Sequence, residues 1–288
     1  MSIDQIKTIT VVGSGVMGSQ IAMVCALGGY RVFVQDVNTE SLKKAEQTLK
    51  QRMERQVQKG KLTLEEIEYA FNRLSFTTSL NDALKETDFV IEAIVEKLEA
   101  KRELFSAMDK LAAPHVIFTT NSSTIVSSKL ADATNRPDKV CNMHFSNPAL
   151  VMELVEVVKN ESTSDETTET TVELSRKLKK TPILLNKEIS GFVMNRILAA
   201  IQNEAITLYE KGFASVEDID LACTKGLNHP MGPFSLIDLT GLDIHYNVRL
   251  QRYSESGEEV DKPSNTVTEK VEKGELGRKT GKGFYVYS

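Results

Sequence analysis

The amino-acid sequence predicts an α/β fold: a doubly wound, mainly parallel sheet followed by a helical C-terminal domain. Three patterns lead to this prediction. A glycine-rich turn follows the first apolar run, later apolar runs alternate with helical patterns up to residue 186, and from Gly191 onward apolar residues recur at helical spacing. Alternating strands and helices are typical of a parallel sheet with helices on both faces. We therefore expect two domains, residues 1–186 and 187–288.

The first apolar run, Thr8 to Val12, leads into a turn with glycines at positions 13, 15 and 18, and a helical pattern follows. Glycine at these positions permits a tight turn, a close approach of the backbone to a pyrophosphate, and close packing of the helix on the strand. The helix N-terminus then faces the phosphates. The alternative is an ordinary strand-to-helix turn. The flanking strand and helix favour a dinucleotide site made by Gly13, Ser14, Gly15, Val16, Met17 and Gly18.

The second strand pattern, Arg31 to Asp36, ends in an acidic residue eighteen positions after Gly18. A carboxylate at this place can accept hydrogen bonds from the adenine ribose, and it would repel a 2′-phosphate. Asp36 therefore favours NAD over NADP.

A histidine and a glutamate lie in two later apolar runs, Val140-Cys-Asn-Met-His144-Phe and Met152-Glu-Leu-Val-Glu156-Val-Val. Burying either side chain alone costs several kcal/mol, so each needs a partner. A hydrogen-bonded His144–Glu156 pair at a strand end can act as a general acid and base. The alternative is a core histidine with a structural hydrogen bond.

Polar side chains also follow other strands of the predicted sheet. Glu96, Lys101 and the segment Asn121-Ser-Ser-Thr124 fall at the carboxyl edge, where ligands of such sheets bind. Ser122 or Ser123 could instead cap the helix that begins near Val126.

Two helical patterns, residues 39–59 and 63–74, separate the second strand from the third, and the second starts with a Thr63-Leu-Glu-Glu66 capping box. Their spacing places Arg52, Arg55 and Lys59 on one helix face. The sequence of this face alone favours a solvent-exposed surface over a phosphate-binding one.

In the C-terminal domain, Asn195 falls within the first apolar helical pattern, which we expect to run through Phe192, Ile197, Ala200, Ile201, Ala205 and Leu208. A buried amide there needs hydrogen-bond partners, from the backbone or a substrate carbonyl.

Composition excludes several classes of function. A formal net charge of -5 gives no basic field for nucleic acid. The three cysteines lie far apart and resemble core residues. We expect no metal site, no membrane span and no signal peptide, which together predict a cytoplasmic protein. The mature form of an organellar protein is the alternative.

The sequence resembles the 3-hydroxyacyl-CoA dehydrogenase family over nearly its whole length. The matching segments, in order, are Val12-Gly-Ser-Gly-Val-Met-Gly18, Val90-Ile-Glu-Ala-Ile-Val-Glu96, Asn121-Ser-Ser-Thr124, His144-Phe-Ser-Asn-Pro148 through Glu156, Gly191-Phe-Val-Met-Asn-Arg196, Pro230-Met-Gly-Pro-Phe234 and Gly277-Arg-Lys-Thr-Gly-Lys-Gly-Phe-Tyr285.

This resemblance implies a Rossmann-type domain with a helical hairpin inserted after its second strand, a helical domain that forms a homodimer, and an active site in the cleft between them. It implies that His144 takes the proton from the 3-hydroxyl of an L-3-hydroxyacyl-CoA and that Glu156 holds the imidazole. Ser123 and Asn195 would bind the 3-oxygen. Further implied cofactor contacts are Asp36, Glu96, Lys101, Ser123, Asn147 and Lys279. The implied contacts with coenzyme A phosphates are Arg52, Arg55 and Lys59, which reverses the preference given above for that face.

Four residues depart from the family pattern: Gln20, Ser146, Leu150 and Glu153. The serine segment also reads Asn-Ser-Ser-Thr where Asn-Thr-Ser-Ser is usual. We expect 3-hydroxybutyryl-CoA as the substrate. Two alternatives stay open: a dehydrogenase of a small hydroxy acid without coenzyme A, as in lambda-crystallin-like members of the superfamily, and a nucleotide-binding homologue without activity.

Overall fold

The structure is a computed structural model that describes residues 3–287. One sheet contains the eight strands β1 Thr8–Val12, β2 Arg31–Gln35, β3 Leu74–Thr77, β4 Phe89–Glu92, β5 Ile117–Thr120, β6 Val140–Phe145, β7 Leu154–Val158 and β8 Thr181–Leu185. Their order is β3-β2-β1-β4-β5-β6-β7-β8, and only β6 and β7 pair antiparallel. The predicted doubly wound, mainly parallel sheet is therefore confirmed, with its order reversing between β1 and β4.

Seven helices lie between these strands in sequence: α1 Val16–Leu27, α2 Thr39–Gln58, α3 Leu64–Phe71, α4 Leu80–Leu84, α5 Leu98–Leu111, α6 Ser128–Ala131 and α7 Asp165–Lys177. The inserted hairpin consists of α2 and α3, between β2 and β3. Asn38 caps α2 by accepting from the N–H groups of Glu40 and Ser41. Thr63 and Glu66 form the predicted capping box of α3.

Strand residues alternate between two apolar layers, one on each face of the sheet. In β4, Phe89 and Ile91 join one layer with α1, while Val90 joins the other with α5. This alternation follows from the two-residue period of a strand. The face that carries Val90 also carries Glu92 at the carboxyl end of β4.

Contacts between Cα atoms divide the chain into two compact units, Met1–Phe192 and Val193–Ser288. The exact domain boundary after residue 186 stays a prediction. The second unit contains α8 Met194–Glu210, α9 Val216–Leu221, α10 Pro233–Thr240, α11 Leu242–Ser256 and α12 Asn265–Glu272. Its core includes Phe234, Ile237 and Leu242. Two isolated β-bridges, Gly277 with Lys282 and Lys282 with Val286, lie near its end.

The predicted apolar face of α8 is partly wrong. The helix begins only at Met194, so Phe192 precedes it. Its buried residues are Ala199, Gln202, Ala205 and Ile206, whereas Ile197 is 57% exposed. Asn195 is only half-buried, so the expectation of a buried amide is also wrong. The buried face of α8 therefore includes a glutamine and differs from the apolar positions that the sequence pattern predicts.

No helix within residues 3–287 is both long and apolar enough to span a membrane.

Candidate active site

The glycine turn has the geometry that a dinucleotide requires. Gly13 has φ +103°, and a Cβ there would come within 2.5 Å of the carbonyl oxygen of Ala93. A Cβ on Gly18 would overlap the carbonyl oxygen of Gly13, whereas a Cβ on Gly15 would have no atom within 4 Å. Two of the glycines are therefore needed for packing, and the third leaves the N-terminus of α1 open to a phosphate.

Asp36 lies beside this turn, at the end of β2. Its Oδ2 accepts hydrogen bonds from the backbone N–H of Ser14 at 2.8 Å and from the Ser14 hydroxyl at 2.7 Å. Its Oδ1 accepts from the N–H of Asn38 at 3.0 Å. Val16 is exposed and Met17 is half-buried at the start of α1. The carboxylate is held in place with lone pairs still available, so these residues fit a dinucleotide whose ribose lies against Asp36.

His144 and Glu156 are directly paired across the antiparallel strands β6 and β7. His144 Nδ1 lies 2.9 Å from Glu156 Oε2, and the two residues are 7% and 0% exposed. An ionised carboxylate only accepts hydrogen bonds, so with Glu156 in that form Nδ1–H is the donor and Nε2 is available to exchange a proton. The hydrogen bond that the burial argument predicts is present.

Glu96 lies in the connection between β4 and α5 and accepts hydrogen bonds from the hydroxyl groups of Ser122 and Thr124, the latter at 2.6 Å. Burial alone would raise the pKa of Glu96, but the Lys101 ammonium at 3.4 Å and the two hydroxyl groups hold this pKa below its ordinary value. Glu96 therefore stays ionised at the sheet edge.

Lys101 is only 1% exposed, and its Nζ lies 2.6 Å from Oε1 of Glu92, which is fully buried. Glu92 also accepts from the Thr120 hydroxyl at 2.6 Å. Lys101 is thus placed to hold Glu92 and Glu96. Its direct contact with a cofactor stays a prediction.

The serine segment is fixed from several sides. Ser122 Oγ accepts from the N–H groups of Thr124 at 3.3 Å and Ile125 at 2.8 Å in a local turn. The expected helix cap is wrong, because α6 begins only at Ser128 and its N-cap residue is Ser127. Ser123 is half-buried, and its carbonyl oxygen accepts from the N–H of Gly191 at 3.1 Å. Asn121 Oδ1 accepts from the N–H of Phe145 at 2.9 Å and so connects the ends of β5 and β6. These bonds place Ser123 and His144 at neighbouring strand ends.

A loop of residues 146–153 connects β6 to β7 and contains three of the four departures from the family pattern. Lys180 Nζ donates to the carbonyl oxygens of Ala149 and Met152, at 2.6 and 2.9 Å. Gln20 Oε1 accepts from the N–H of Leu150 at 3.5 Å, and Asn147 is exposed. The loop is therefore secured mainly through its backbone.

Two further predicted site residues lie in the second unit and three in the first. In the second unit, Asn195 is the second residue of α8, and Lys279 forms an ion pair with Asp243. In the first unit, Arg52 is half-buried while Arg55 and Lys59 are exposed, and none of these three forms an ion pair with another residue of the described part. No three His, Cys, Asp or Glu side chains among residues 3–287 are grouped as metal ligands.

Sequence reasoning missed Glu92, Thr120 and Phe192 as parts of this site. Glu92 had a usable signal, because a carboxylate inside the apolar run Phe89-Val-Ile-Glu92 needs a buried partner. Phe192 was assigned to a helix core, and no local pattern indicated that its ring lies against His144.

Comparisons with known proteins match nearly the whole chain. The family model "3-hydroxyacyl-CoA dehydrogenase, NAD binding domain" matches residues 8–189, and "3-hydroxyacyl-CoA dehydrogenase, C-terminal domain" matches residues 191–287. A probable 3-hydroxybutyryl-CoA dehydrogenase of Bacillus subtilis is 40% identical over 283 residues, covering 98% of each chain. The human mitochondrial hydroxyacyl-coenzyme A dehydrogenase is 39% identical and is covered over 91% of its length by 98% of this chain.

Solved structures agree with these matches. The crystal structure of (S)-3-hydroxybutyryl-CoA dehydrogenase from Ralstonia eutropha is similar with a TM-score of 0.92 and 40% identity, covering 99% of this chain and 100% of that one. Because both domain models match and relatives of 40% identity are aligned over 98% of their length, the chain belongs to the 3-hydroxyacyl-CoA dehydrogenase family.

Proposed function

We propose that the protein interconverts L-3-hydroxyacyl-CoA and 3-ketoacyl-CoA with NAD, and that 3-hydroxybutyryl-CoA is its main substrate. The hydrogen-bonded His144–Glu156 pair at the carboxyl edge of the sheet carries this proposal. The glycine turn at the same edge fits a dinucleotide, and several relatives are named as 3-hydroxybutyryl-CoA dehydrogenases.

In the oxidation direction, His144 Nε2 takes the proton from the 3-hydroxyl group as the C3–O bond becomes a carbonyl. The bound nicotinamide supplies the hydride acceptor. Glu156 stabilises the imidazolium that forms, because its carboxylate already accepts from Nδ1. Ser123 and Asn195 hydrogen-bond the 3-oxygen and so orient C3. In the reverse direction, the imidazolium returns the proton.

Asp36 favours NAD over NADP, because its fixed carboxylate accepts from ribose hydroxyl groups and repels a 2′-phosphate. The other proposed cofactor contacts are the turn residues Gly13 to Gly18, Glu96, Lys101, Ser123, Asn147 and Lys279. Arg52, Arg55 and Lys59 are the proposed contacts for coenzyme A phosphates. A homodimer formed through the C-terminal domain and a cytoplasmic location stay predictions from the resemblance and the sequence.

Steady-state reduction assays with the purified protein test both the substrate and the cofactor. Acetoacetyl-CoA should be reduced with NADH far faster than free acetoacetate, because the coenzyme A moiety contributes binding free energy that positions C3. Equal rates for the two substrates would contradict the coenzyme A proposal and favour a small hydroxy acid. NADH binding without any turnover would favour the homologue without activity.

The cofactor proposal has its own variant. Asp36→Ala should raise the rate with NADPH relative to the rate with NADH, whereas Asp82→Ala, which removes an exposed carboxylate on α4, should leave the ratio unchanged. An unchanged ratio in Asp36→Ala would refute the role given to this residue.

A further inference from the structure

Phe192 has a backbone conformation that side chains disfavour. Its φ is +49°, in the left-handed region, although glycine is the usual residue there. Gly191 before it also has a positive φ, of +77°. A glycine at position 192 would remove the steric conflict, since glycine adopts a positive φ readily. Since a phenylalanine stands there instead, its side chain has a role that outweighs the strain.

The Phe192 ring lies against the proposed acid/base. It is fully buried, its centroid is 5.4 Å from that of the His144 ring, and the two planes are inclined by 57°. It does not belong to either large apolar layer of the sheet but to a small cluster with Val158 and Leu185. Val158 is two residues beyond Glu156 on β7, so this cluster lies on the same sheet face as the pair.

The backbone around Phe192 is anchored to the second group of the site. The N–H of Gly191 donates to the carbonyl oxygen of Ser123 at 3.1 Å, and the N–H of Phe192 donates to that of Ile189 at 3.1 Å. One short segment therefore contacts both the imidazole of His144 and the backbone of Ser123.

A single hydrogen bond does not fix an imidazole ring. The bond from Nδ1 to Glu156 does not by itself prevent rotation of the His144 ring about the Nδ1–Oε2 line, and such a rotation would move Nε2. A fully buried ring packed against the imidazole restricts this motion. We propose that Phe192 is a positioning residue that holds Nε2 of His144 in line with the 3-hydroxyl, while Gly191 holds Ser123. This proposal rests on the acid/base role of His144 proposed above.

Phe192→Leu and Phe192→Met test the ring contact while keeping an apolar side chain. We expect kcat for acetoacetyl-CoA reduction to fall by about 10- to 100-fold, because a displacement on the order of 1 Å can cost this much. The dissociation constants of acetoacetyl-CoA and NADH should change by less than about threefold, since binding does not depend on proton transfer. Phe192→Gly, which relieves the backbone and removes the ring, should lose at least as much kcat.

Phe105→Leu is the matched control. Phe105 is also fully buried and packs edge-to-face on Phe118 at 6.1 Å, but it lies in α5 within the other layer. Phe105→Leu should lower the unfolding temperature about as much as Phe192→Leu does, and it should leave kcat near the wild-type value. An equal loss of kcat in Phe105→Leu would overturn the proposal, and so would a normal kcat in all three Phe192 variants.

A spectroscopic measurement does not depend on turnover. The protein has four histidines, so histidine-labelled samples give few NMR signals, and His144→Gln identifies the one of interest. This signal should shift and broaden in Phe192→Leu as the ring gains motion, and an unchanged signal would count against the proposal. If His144→Gln keeps full turnover, the acid/base proposal itself fails. If only the Phe192 variants are normal, the positioning role fails alone.

Discussion

At the scale of single residues, the His144–Glu156 pair shows why burial and chemistry coincide. Each side chain is almost inaccessible to water, and each satisfies the other through one hydrogen bond. Truncating Glu156 would remove the hydrogen bond of a buried imidazole, which is more costly than the net contribution of the bond. Variants that test the chemistry must therefore keep a polar group at the site.

His144→Gln meets this condition, because an amide N–H can still donate to Glu156 but cannot take up a proton. We expect turnover to fall by roughly two to four decades, with NADH affinity little changed. Steady-state rates and NADH fluorescence titration measure the two effects. His115→Gln, which replaces a half-exposed histidine, should keep wild-type turnover. Loss of NADH binding in His144→Gln would point to a structural role instead.

The burial argument could predict this pair from sequence because both partners stand out in apolar runs. The same argument did not find Lys101 and Thr120 as the partners of Glu92, because Lys101 lies among other charged residues of α5 and the Thr120 hydroxyl carries no charge. It was wrong for Asn195, because an apolar helical pattern does not reveal which face of a helix is covered. Site chemistry is thus predictable where charge contrasts with its neighbours, and the partners depend on tertiary packing.

At the scale of elements, the glycines of the turn have two different roles, packing and binding. Gly13 and Gly18 are required because a Cβ atom at either position would overlap backbone atoms. Gly15 has φ -63°, which any residue adopts, and open space around it. The fold alone does not explain a glycine at position 15.

Gly15→Ala and Gly18→Ala form a matched pair. Gly18→Ala should lower the free energy of unfolding by about 2 kcal/mol, the usual scale of overpacking. Gly15→Ala should keep wild-type stability and weaken NADH binding by about tenfold, equivalent to about 1.4 kcal/mol, because its methyl group lies where a pyrophosphate approaches. Chemical denaturation and NADH titration give both values. A destabilised Gly15→Ala, or one with normal affinity, would refute this division.

The strands β6 and β7 were more predictable than the helix α8. The apolar runs predicted β6 and β7 well because strands buried on both faces contain few polar residues. The direction of β7 and the start of α8 required the structure, since both are decided by which neighbour an element packs against.

At the scale of the whole molecule, one histidine of the second compact unit makes stability depend on pH. In the second unit, Nδ1 of His245 on α11 lies 3.2 Å from Oε1 of Gln202 on α8. Desolvation, followed by the nearby Arg249 charge, lowers the pKa of His245 from 6.5 to about 4. The unfolded chain therefore binds a proton more readily than the folded one between these values, so stability is lost as pH falls from about 6.5 towards about 4.

We expect the unfolding temperature to fall between pH 7 and pH 5, and His245→Asn to show a smaller fall. Asparagine cannot take up the proton but can still donate to Gln202. Scanning calorimetry at both pH values measures the difference. Equal falls in the variant and the wild type would show that other groups cause the acid sensitivity.

The antiparallel pairing of β6 and β7 has a further consequence for how such a protein diversifies. The ladder register alone brings His144 opposite Glu156, and the intervening loop is held mainly by backbone atoms. Loop residues such as the half-buried Leu150 and the exposed Glu153 can therefore be substituted without changing the register that pairs His144 with Glu156. Selectivity and chemistry become separately evolvable traits, encoded side by side in one β-hairpin.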